Sequence, residues 1–270
     1  MHQLSGLDAT FLYAEMNNSP MHIAPLLIYD PSTTGQDVVR FKDILDTFAE
    51  RLDRSSVFRR KLAMVPFNLD QPYWVDDDRF DLEFHVRHIA LPKPGDWRQL
   101  SILTARLHAR PLDRSRPLWE AYIIEGLDNV AGLPPGCYAM LLKVHHAAID
   151  GASGVELISA LHDLSVVPPV LRRAARPVAD SPPSQAEMLW RAYKNNMKAP
   201  FRLARLARQG IPAWRRVHEG VKAKKFRTLG DKERTRFNAA VSPHRVFGAV
   251  DFDLAVIRKA REAVPGATVN

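Results

Sequence analysis

The chain has 270 residues, of which 46% are hydrophobic and 25% are charged, so it has enough apolar material for one large domain or two smaller ones. One cysteine, Cys137, excludes an internal disulfide and every metal site built from several cysteines, and we expect its thiol to be buried. The formal net charge of +8 is local, because residues 191–236 carry 15 Lys and Arg against 3 Asp and Glu, whereas the rest of the chain carries 23 against 27.

The sequence shows neither a targeting signal nor a membrane span. The N-terminal segment contains Asp8 and Glu15 and lacks both a basic start and a long apolar core, unlike a secretory signal. The longest uncharged stretch, 129–142, contains two prolines and is too short to cross a bilayer. We therefore expect a cytoplasmic protein.

The first half of the chain alternates between strand and helix patterns. Residues 21–29 form a short apolar run typical of a strand, and the helical spacing over 36–53 places on one face Phe41, Ile44, Leu45, Phe48 and Leu52. A second helix is expected from Asp96, a suitable cap, to a point before Pro111, with a packed face of Leu100, Leu103 and Leu107.

The segment 57–95 is less regular. We expect a solvated acidic turn at Asp76–Asp78 and a strand over 84–91. His85 and His88 fall within that strand, where an offset of three residues sends side chains to opposite faces. With no further ligand cluster nearby, the pair favours structural or surface roles over metal binding, and we expect no metal site.

A charged, proline-bounded stretch follows at 111–120. It ends in Pro117-Leu118-Trp119-Glu120 and leads into the apolar segment 121–124. From the residues alone, we favour a loop and an edge strand in which Trp119 anchors the packing.

The most informative stretch is His145-His146-Ala147-Ala148-Ile149-Asp150-Gly151. It follows the apolar run 137–144, which predicts a strand buried on both faces, and precedes a helical pattern at Gly154, Leu157, Ile158 and Leu161. The two histidines therefore lie in a strand-to-helix turn, where functional groups project from a rigid frame.

This turn suits acyl transfer. A neutral imidazole can take the proton of an attacking hydroxyl near pH 7, and alternation along the strand sends His145 and His146 in different directions, so one of them is the candidate base. The pattern does not decide which. Asp150 is better suited to organising the turn than to relaying protons, and Gly151 lets the backbone pass closely. The alternative is a structural pair of histidines, and Ser153 lacks the context of a serine nucleophile.

The second half of the chain contains a linker, a basic helical stretch, and then a further strand and helix. Residues 165–184 are proline-rich and predict a linker. In the basic stretch that follows, we expect Pro200 and Pro212 to restart helices, with shared faces formed by Trp190, Tyr193 and Met197 and by Trp214, Val217 and Val221. Three interpretations of this stretch stay open: a solvated connector packed on its own domain, a lipid-surface element, and nucleic-acid binding, for which no signature is present. Residues 244–253 predict a strand and 254–264 a helix.

Several of these motifs together resemble the bacterial wax ester synthase/diacylglycerol acyltransferase family, within the larger group of CoA-dependent acyltransferases that carry His-His-x-x-x-Asp-Gly. The resemblance rests on His145–Gly151, on the opening Leu4-Ser5-Gly6-Leu7-Asp8-Ala9-Thr10-Phe11-Leu12-Tyr13, and on shorter matches at Met21-His22-Ile23, Pro117-Leu118-Trp119-Glu120, Phe237-Asn238 and Ser242-Pro243-His244-Arg245. The histidine motif alone is shared with condensation domains, and the flanking motifs favour the narrower family.

The resemblance implies an α/β fold like that of chloramphenicol acetyltransferase, with the active site in a tunnel between two sandwiches. It implies an N-terminal domain over 1–164, a linker over 165–236, and over 237–270 the beginning of a C-terminal domain that would stop incomplete at Asn270. The base would be His146, supported by His145 and Asp150, with Gly151 and Pro117, Leu118, Trp119 and Glu120 as substrate-binding residues.

The function implied by the resemblance is O-acyl transfer from acyl-CoA, a substrate rather than a cofactor, to diacylglycerol or a long-chain alcohol. This is triacylglycerol or wax ester synthesis, a part of lipid and glycerol metabolism, with peripheral contact to membranes or lipid inclusions. A further expected partner is the missing C-terminal domain or fragment. We do not expect nucleic acid as a partner. Two alternatives stay open: a condensation-type enzyme with a carrier-bound donor, and a non-catalytic lipid-surface fragment.

Overall fold

A computed structural model describes residues 1–16, 18–35, 39–149, 153–163, 165, 183–223, 241–250, 252–264 and 266–269. The strands are β1 (His2–Gln3), β2 (His22–Ile23), β3 (Leu26–Tyr29), β4 (Arg60–Ala63), β5 (Tyr73–Asp76), β6 (Val86–Ala90), β7 (Trp119–Glu125) and β8 (Tyr138–His145). The helices are α1 (Gly6–Ala14), α2 (Phe41–Arg51), α3 (Leu82–His85), α4 (Trp97–His108), α5 (Ser153–Leu161), α6 (Gln185–Met197), α7 (Ala199–Lys222) and α8 (Leu254–Glu262).

The strands form two sheets. The small sheet has the order β1-β5-β4 and is antiparallel. The main sheet has the order β2-β8-β7-β6, with β3 also pairing with β8, and only β6 and β7 among its described strands run parallel. Strands β7 and β8 therefore lie in the interior of the main sheet, where neighbours hold them on both sides.

Helices cover both faces of the main sheet. On one face α2 and α5 pack through Phe48 and Leu157 against β8 residues that include Leu142. On the other face α4 packs through Leu100 and Leu107 against β7 and β8. Burial of a side chain of this size contributes about 1.5–3 kcal/mol each. The expected α/β class is confirmed, and β8 is buried on both faces as its apolar sequence predicted.

Local sequence signals set the helix starts. The carboxylate of Asp96 accepts the N–H of Gln99 at 2.9 Å, and the Gln99 amide oxygen accepts the N–H of Asp96 at 3.1 Å, a reciprocal capping box. The predicted helix from Asp96 is confirmed, and it ends at His108, before Pro111. Cys137 is buried immediately before β8.

Other expectations about the first half are only partly met. The strand expected over 21–29 is two short strands, β2 and β3, separated by Pro25, whose carbonyl accepts the N–H of Leu142 at 3.1 Å. The helix expected over 36–53 begins at Phe41, and residues 36–38 lie outside the described residues.

The expectation of an edge strand after Pro117 was wrong. Strand β7 pairs on one side with β8 and on the other with β6, and Trp119 at its start is fully buried. The physical reason is that β6 is distant in sequence and joins β7 in parallel, and no local pattern announces such a partner.

Two assignments in the segment 57–95 also change. His85 lies in the short helix α3 and not in a strand, because Asp81 caps a single turn ahead of β6. The acidic turn at 76–78 is not solvated throughout, since the side chain of Asp77 is 4% exposed and accepts a hydrogen bond from Lys61 Nζ at 2.6 Å.

Helices α6 and α7 follow the predicted basic stretch. Helix α6 packs on the small sheet through Met188 and Ala192. Helix α7 continues through Pro212, so the expectation that this proline restarts a helix was wrong. A proline removes one backbone hydrogen bond, and an exposed helix can continue past that loss by bending.

The strand expected over 244–253 is absent from the described residues of that range, because none of the described segments pairs with them. The helix after it is confirmed as α8. The linker expected at 165–184 lies almost entirely outside the described residues, and the three-part domain division stays a prediction. None of the helices in the described ranges combines the length and apolar character needed to cross a membrane.

Candidate active site

The predicted strand-to-helix turn is held by main-chain hydrogen bonds on both sides. The N–H of His145 donates to the carbonyl of Leu118 at 3.0 Å, and the N–H of His146 donates to the carbonyl of Met21 at 2.8 Å. A single 3-10 turn over His146–Ala148 then leads away from the sheet. The backbone that carries both histidines is therefore fixed by the strands on either side of β8.

His145 points into the core. Its side chain is 1% exposed, its Nδ1 accepts the N–H of Ala147 at 3.0 Å, and its Nε2 lies 3.6 Å from the carboxylate of Glu15. Burial lowers the pKa of His145 to about 4. A neutral ring that accepts at Nδ1 carries its proton on Nε2, facing Glu15. His145 thus acts as a cap of the turn.

His146 points elsewhere, as alternation predicted. Its ring is half-buried and stacks on Phe11 with the ring centroids 4.9 Å apart and the planes 18° apart. Among the described residues, neither ring nitrogen of His146 has a hydrogen-bond partner. Packing against Phe11 therefore orients the ring of His146.

Glu15 and Arg114 hold the turn from the side of α1. Glu15 accepts the N–H of Met21 at 3.1 Å and the Nε–H of Arg114 at 3.0 Å, and Arg114 also donates to the carbonyl of Leu12 at 2.9 Å. Burial alone would raise the pKa of Glu15, but these hydrogen bonds and the positive charge of Arg114 outweigh it and lower the pKa. An ionised carboxylate therefore faces the buried ring of His145.

The sequence patterns did not predict Glu15 or Arg114 as parts of the site. The opening motif that supports the family resemblance ends two positions before Glu15, and Arg114 lies in the charged loop ahead of Trp119. Their positions next to these motifs could have drawn attention to Glu15 and Arg114. No local sequence pattern, however, predicts that the two side chains contact each other.

A buried ionic cluster lies beneath the turn. Lys143 is 0% exposed, and its Nζ donates to the carbonyl of Arg110 at 2.8 Å and to the Glu120 carboxylate at 3.3 Å. The hydroxyl of Tyr122 donates to the same carboxylate at 2.7 Å. Burial lowers the pKa of Lys143, and the charge of Glu120 opposes that effect. The single charged residue of the apolar run is thus satisfied inside the core.

The stretch 117–120 lies directly beside the turn. Trp119 is buried, donates from Nε1 to the carbonyl of Phe58 at 2.9 Å, and stacks on His85 with a centroid separation of 4.7 Å. Leu118 is buried in the cluster that joins α1 to Ala147. These side chains support the turn from within, and their contact with a substrate stays a prediction.

The remaining candidate residues are the histidines His85 and His88 and the motif residues Asp150 and Gly151. His85 donates from Nδ1 to the carbonyl of Trp119 at 2.7 Å, and His88 lies 2.9 Å from the Glu125 carboxylate, so both have the structural or surface roles predicted for them. No group of potential metal ligands occurs among the described residues. Asp150 and Gly151 lie outside the described residues.

Of the two adjacent imidazoles, His145 is fixed in the core, and His146 has no hydrogen-bond partner among the described residues. The comparisons with known proteins then place the chain within a family. The chain belongs to the family of wax ester synthase/diacylglycerol acyltransferase catalytic domains, whose family model matches residues 4–270.

Two individual proteins from Mycobacterium tuberculosis are also similar to this chain. A Mycobacterium tuberculosis protein named as a diacylglycerol O-acyltransferase is 42% identical over 166 residues, covering 61% of this chain and 32% of the relative. A second such protein from that organism is 31% identical over 283 aligned positions, covering 100% of this chain and 56% of the relative. The chain thus spans about a third to just over half of the length of these two relatives.

Among solved structures, the wax ester synthase/diacylglycerol acyltransferase of Marinobacter aquaeolei VT8 is 31% identical, with a TM-score of 0.47. The match covers 59% of this chain and 36% of that one.

Proposed function

We propose that this chain carries the base of an O-acyltransferase that moves a fatty acyl group from acyl-CoA to diacylglycerol or to a long-chain alcohol. His146 is the base. His145 and Asp150 are supporting residues, and Gly151 is a substrate-binding residue whose lack of a side chain lets the backbone pass closely. The observation that carries the proposal is the contrast between two adjacent imidazoles: one is buried and caps the turn, and the other stacks on Phe11 and has no hydrogen-bond partner among the described residues.

The reaction needs one proton acceptor. His146 takes the proton of the acceptor hydroxyl as its oxygen attacks the thioester carbonyl, and a tetrahedral intermediate forms. The carbon–sulfur bond then breaks, the protonated imidazole returns the proton to the CoA thiolate, and the ester leaves. The products are an ester and free CoA, no acyl-enzyme forms, and the base ends neutral.

The surrounding residues keep the base in position. The Glu15 carboxylate lies 3.6 Å from Nε2 of the buried His145, and His145 caps the turn that bears His146. Residues 117–120 support the same turn through the Leu118 carbonyl. The opposite wall of the tunnel, implied by the family resemblance, would come from the part of such relatives that this chain does not span.

A comparison of two histidine variants tests the role of His146. CoA release is measured with diacylglycerol and with hexadecanol, for the 270-residue chain and for a full-length relative with the same motif. We expect His146→Ala to lose at least about 100-fold in turnover, the lower range for a general base. The matched control is His88→Ala, whose side chain is 39% exposed on the edge strand β6. Near-normal turnover of a folded His146→Ala variant would remove His146 from the mechanism.

The acyl donor is tested in the same assay. Acyl-CoA is compared with the same acyl group on a pantetheine-loaded carrier protein. Our proposal requires turnover with free acyl-CoA, whereas a preference for the carrier-bound donor would support the condensation-type alternative instead.

We propose further that α7 brings the protein to an anionic lipid surface. Its apolar arc is 49–66% exposed at Leu203, Leu206, Ile211, Trp214 and Val217, and the opposite arc carries Arg202, Arg205, Arg208, Arg215 and Arg216. An amphipathic helix with arginines on its polar face lies in the interface of a membrane that contains anionic lipids.

Vesicle flotation tests the lipid contact. We expect the chain to float at low salt with phosphatidylglycerol vesicles and not with phosphatidylcholine vesicles, because the arginines require a negative surface. Leu206→Glu/Trp214→Glu should abolish flotation, while the control Val250→Glu/Phe252→Glu, exposed outside α7, should keep it. Failure of the unaltered chain to float with the anionic vesicles would contradict this proposal.

A further inference from the structure

A groove of about 860 Å³ runs along the outer side of α4, between this helix and the segment 243–248. Its floor on the helix is made of small residues at four-residue spacing, Ser101, Ala105 and Ala109. The volume is in the range of small-molecule sites, about 300–1,000 Å³. Because small side chains leave the floor low, a ligand can lie along the helix.

The described residues that line the groove carry positive charge and no carboxylate. Arg98 and Arg106 lie on α4, Arg110 follows its C-terminal end, and Arg245 lies on the opposite side; no Asp or Glu is among the lining residues. Within the described ranges, no carboxylate pairs with any of these four arginines, and Arg245 donates only to main-chain carbonyls, including those of Ser242 and Asn18. Arginine forks match phosphate geometry well.

One end of the groove lies at Arg110, which contacts the buried ionic cluster beneath the active-site turn. The carbonyl of Arg110 accepts a hydrogen bond from Lys143 Nζ at 2.8 Å, and Lys143 precedes His145 by two positions on β8. From Arg98 to Arg110 the helix and its last turn extend about 18 Å. At the far end, Trp97 and Phe247 bring their rings to a centroid separation of 6.3 Å.

We propose that this groove binds the phosphate-bearing nucleotide end of the acyl-CoA donor. The inference rests on the proposed function, because it assigns a place to that donor. The arginines hold the phosphates, the apolar rings lie at the nucleotide end, and the pantetheine arm leaves past Arg110 towards the turn that carries His146. The donor is thereby held at its nucleotide end, far from its thioester carbonyl, by contacts that do not take part in the chemistry.

The test measures binding and requires no turnover. The affinity of the 270-residue chain for CoA is measured by isothermal titration, with pantetheine, which lacks all the phosphates, as a second probe. The variant is Arg98→Ala/Arg106→Ala/Arg110→Ala. Its charge-matched control is Arg258→Ala/Lys259→Ala/Arg261→Ala on the exposed helix α8.

We expect the groove variant to bind CoA at least about tenfold more weakly than the control, since charge-assisted hydrogen bonds to phosphate are lost. Pantetheine should bind both variants equally weakly. Equal CoA affinity of the two variants, with thermal unfolding unchanged, would overturn the proposal. A single variant, Arg106→Glu, gives the same comparison if the triple variant fails to fold.

Two further arms separate this result from other sources of phosphate and from the catalytic proposal. Dihexanoyl phosphatidylglycerol at the same concentration should not displace CoA, and displacement would overturn the assignment to the donor. His146→Ala should keep its CoA affinity. If turnover depends on His146 but CoA affinity is insensitive to the three arginines, the groove assignment alone fails. If the reverse holds, the catalytic proposal alone fails.

Discussion

The buried pair of Lys143 and Glu120 allows a quantitative test of the frame beneath the active-site turn. The two side chains are 0% and 9% exposed, so solvent screening is weak. Lys143→Met removes the positive charge and keeps most of the apolar length of the side chain. The Glu120 carboxylate then remains in the core with one hydrogen bond, from the Tyr122 hydroxyl.

The magnitude follows from what each variant leaves unpaired. Loss of one partner of a buried ion pair costs about 3–5 kcal/mol, because the other charge stays buried. Lys143→Met also leaves the Arg110 carbonyl without its donor. The double variant Lys143→Met/Glu120→Gln has no buried charge, and the neutral amide still accepts from Tyr122, so we expect it to cost about 1–2 kcal/mol.

Urea unfolding is measured for the unaltered chain, Lys143→Met, Glu120→Gln and the double variant. The four free energies of unfolding give the coupling energy between the two side chains. We expect the double variant to be about 2 kcal/mol more stable than Lys143→Met alone. Strictly additive losses would refute the reasoning, since they would mean that the two side chains do not compensate each other's charge in the core.

Three more predictions concern residues around the turn. His145 and His22, with pKa values of about 4 in the fold against 6.5 for a free imidazole, bind fewer protons folded than unfolded, so acidification from pH 7 to pH 5 should lower the free energy of unfolding by about 2 kcal/mol per histidine. In urea titrations, the loss for His145→Asn should be smaller than that of the unaltered chain by about 2 kcal/mol, and an unchanged loss would contradict the assignment. Glu15→Gln should lower kcat roughly tenfold with little change in KM, because the turn is misaligned while the substrate contacts remain; an unchanged kcat would count against a positioning role. Trp119→Phe should destabilise the fold by about 1–3 kcal/mol in urea unfolding, since the Phe58 carbonyl loses its donor, and a loss below about 0.5 kcal/mol would not fit the buried contact.

The parts of the fold that were predictable have local causes. The apolar run before His145 predicted a strand buried on both faces. Asp96 predicted the start of α4, because its capping box is complete within four residues. The strand-to-helix turn followed from the change of hydrophobic period on either side of the motif. Each of these signals is contained within one element.

The parts that failed depend on distant partners. The position of Trp119 in an interior strand depends on β6, and the absence of a strand over the described residues of 244–253 reflects the lack of a pairing segment. Glu15 contacts His145 from the opposite end of the domain sequence, and no periodicity reports such a contact. His85 left its expected strand because one capping carboxylate, that of Asp81, outweighed a weak strand pattern.

The candidate site shows the same division. The motif predicted that His145 and His146 point in different directions, and the structure shows it. Residues alone left open which imidazole is available, because the answer depends on burial by Glu15, Arg114 and α1, which are brought to the turn by tertiary packing.

Chemical rescue tests the central claim most directly. CoA release from acyl-CoA and hexadecanol is measured for His146→Ala with increasing imidazole, beside His145→Asn as the neighbouring control. We expect imidazole to restore part of the lost turnover of His146→Ala and to leave His145→Asn unchanged, because only the first variant lacks the proton acceptor. Turnover of a folded His146→Ala variant at the unaltered rate, without imidazole, would contradict the account.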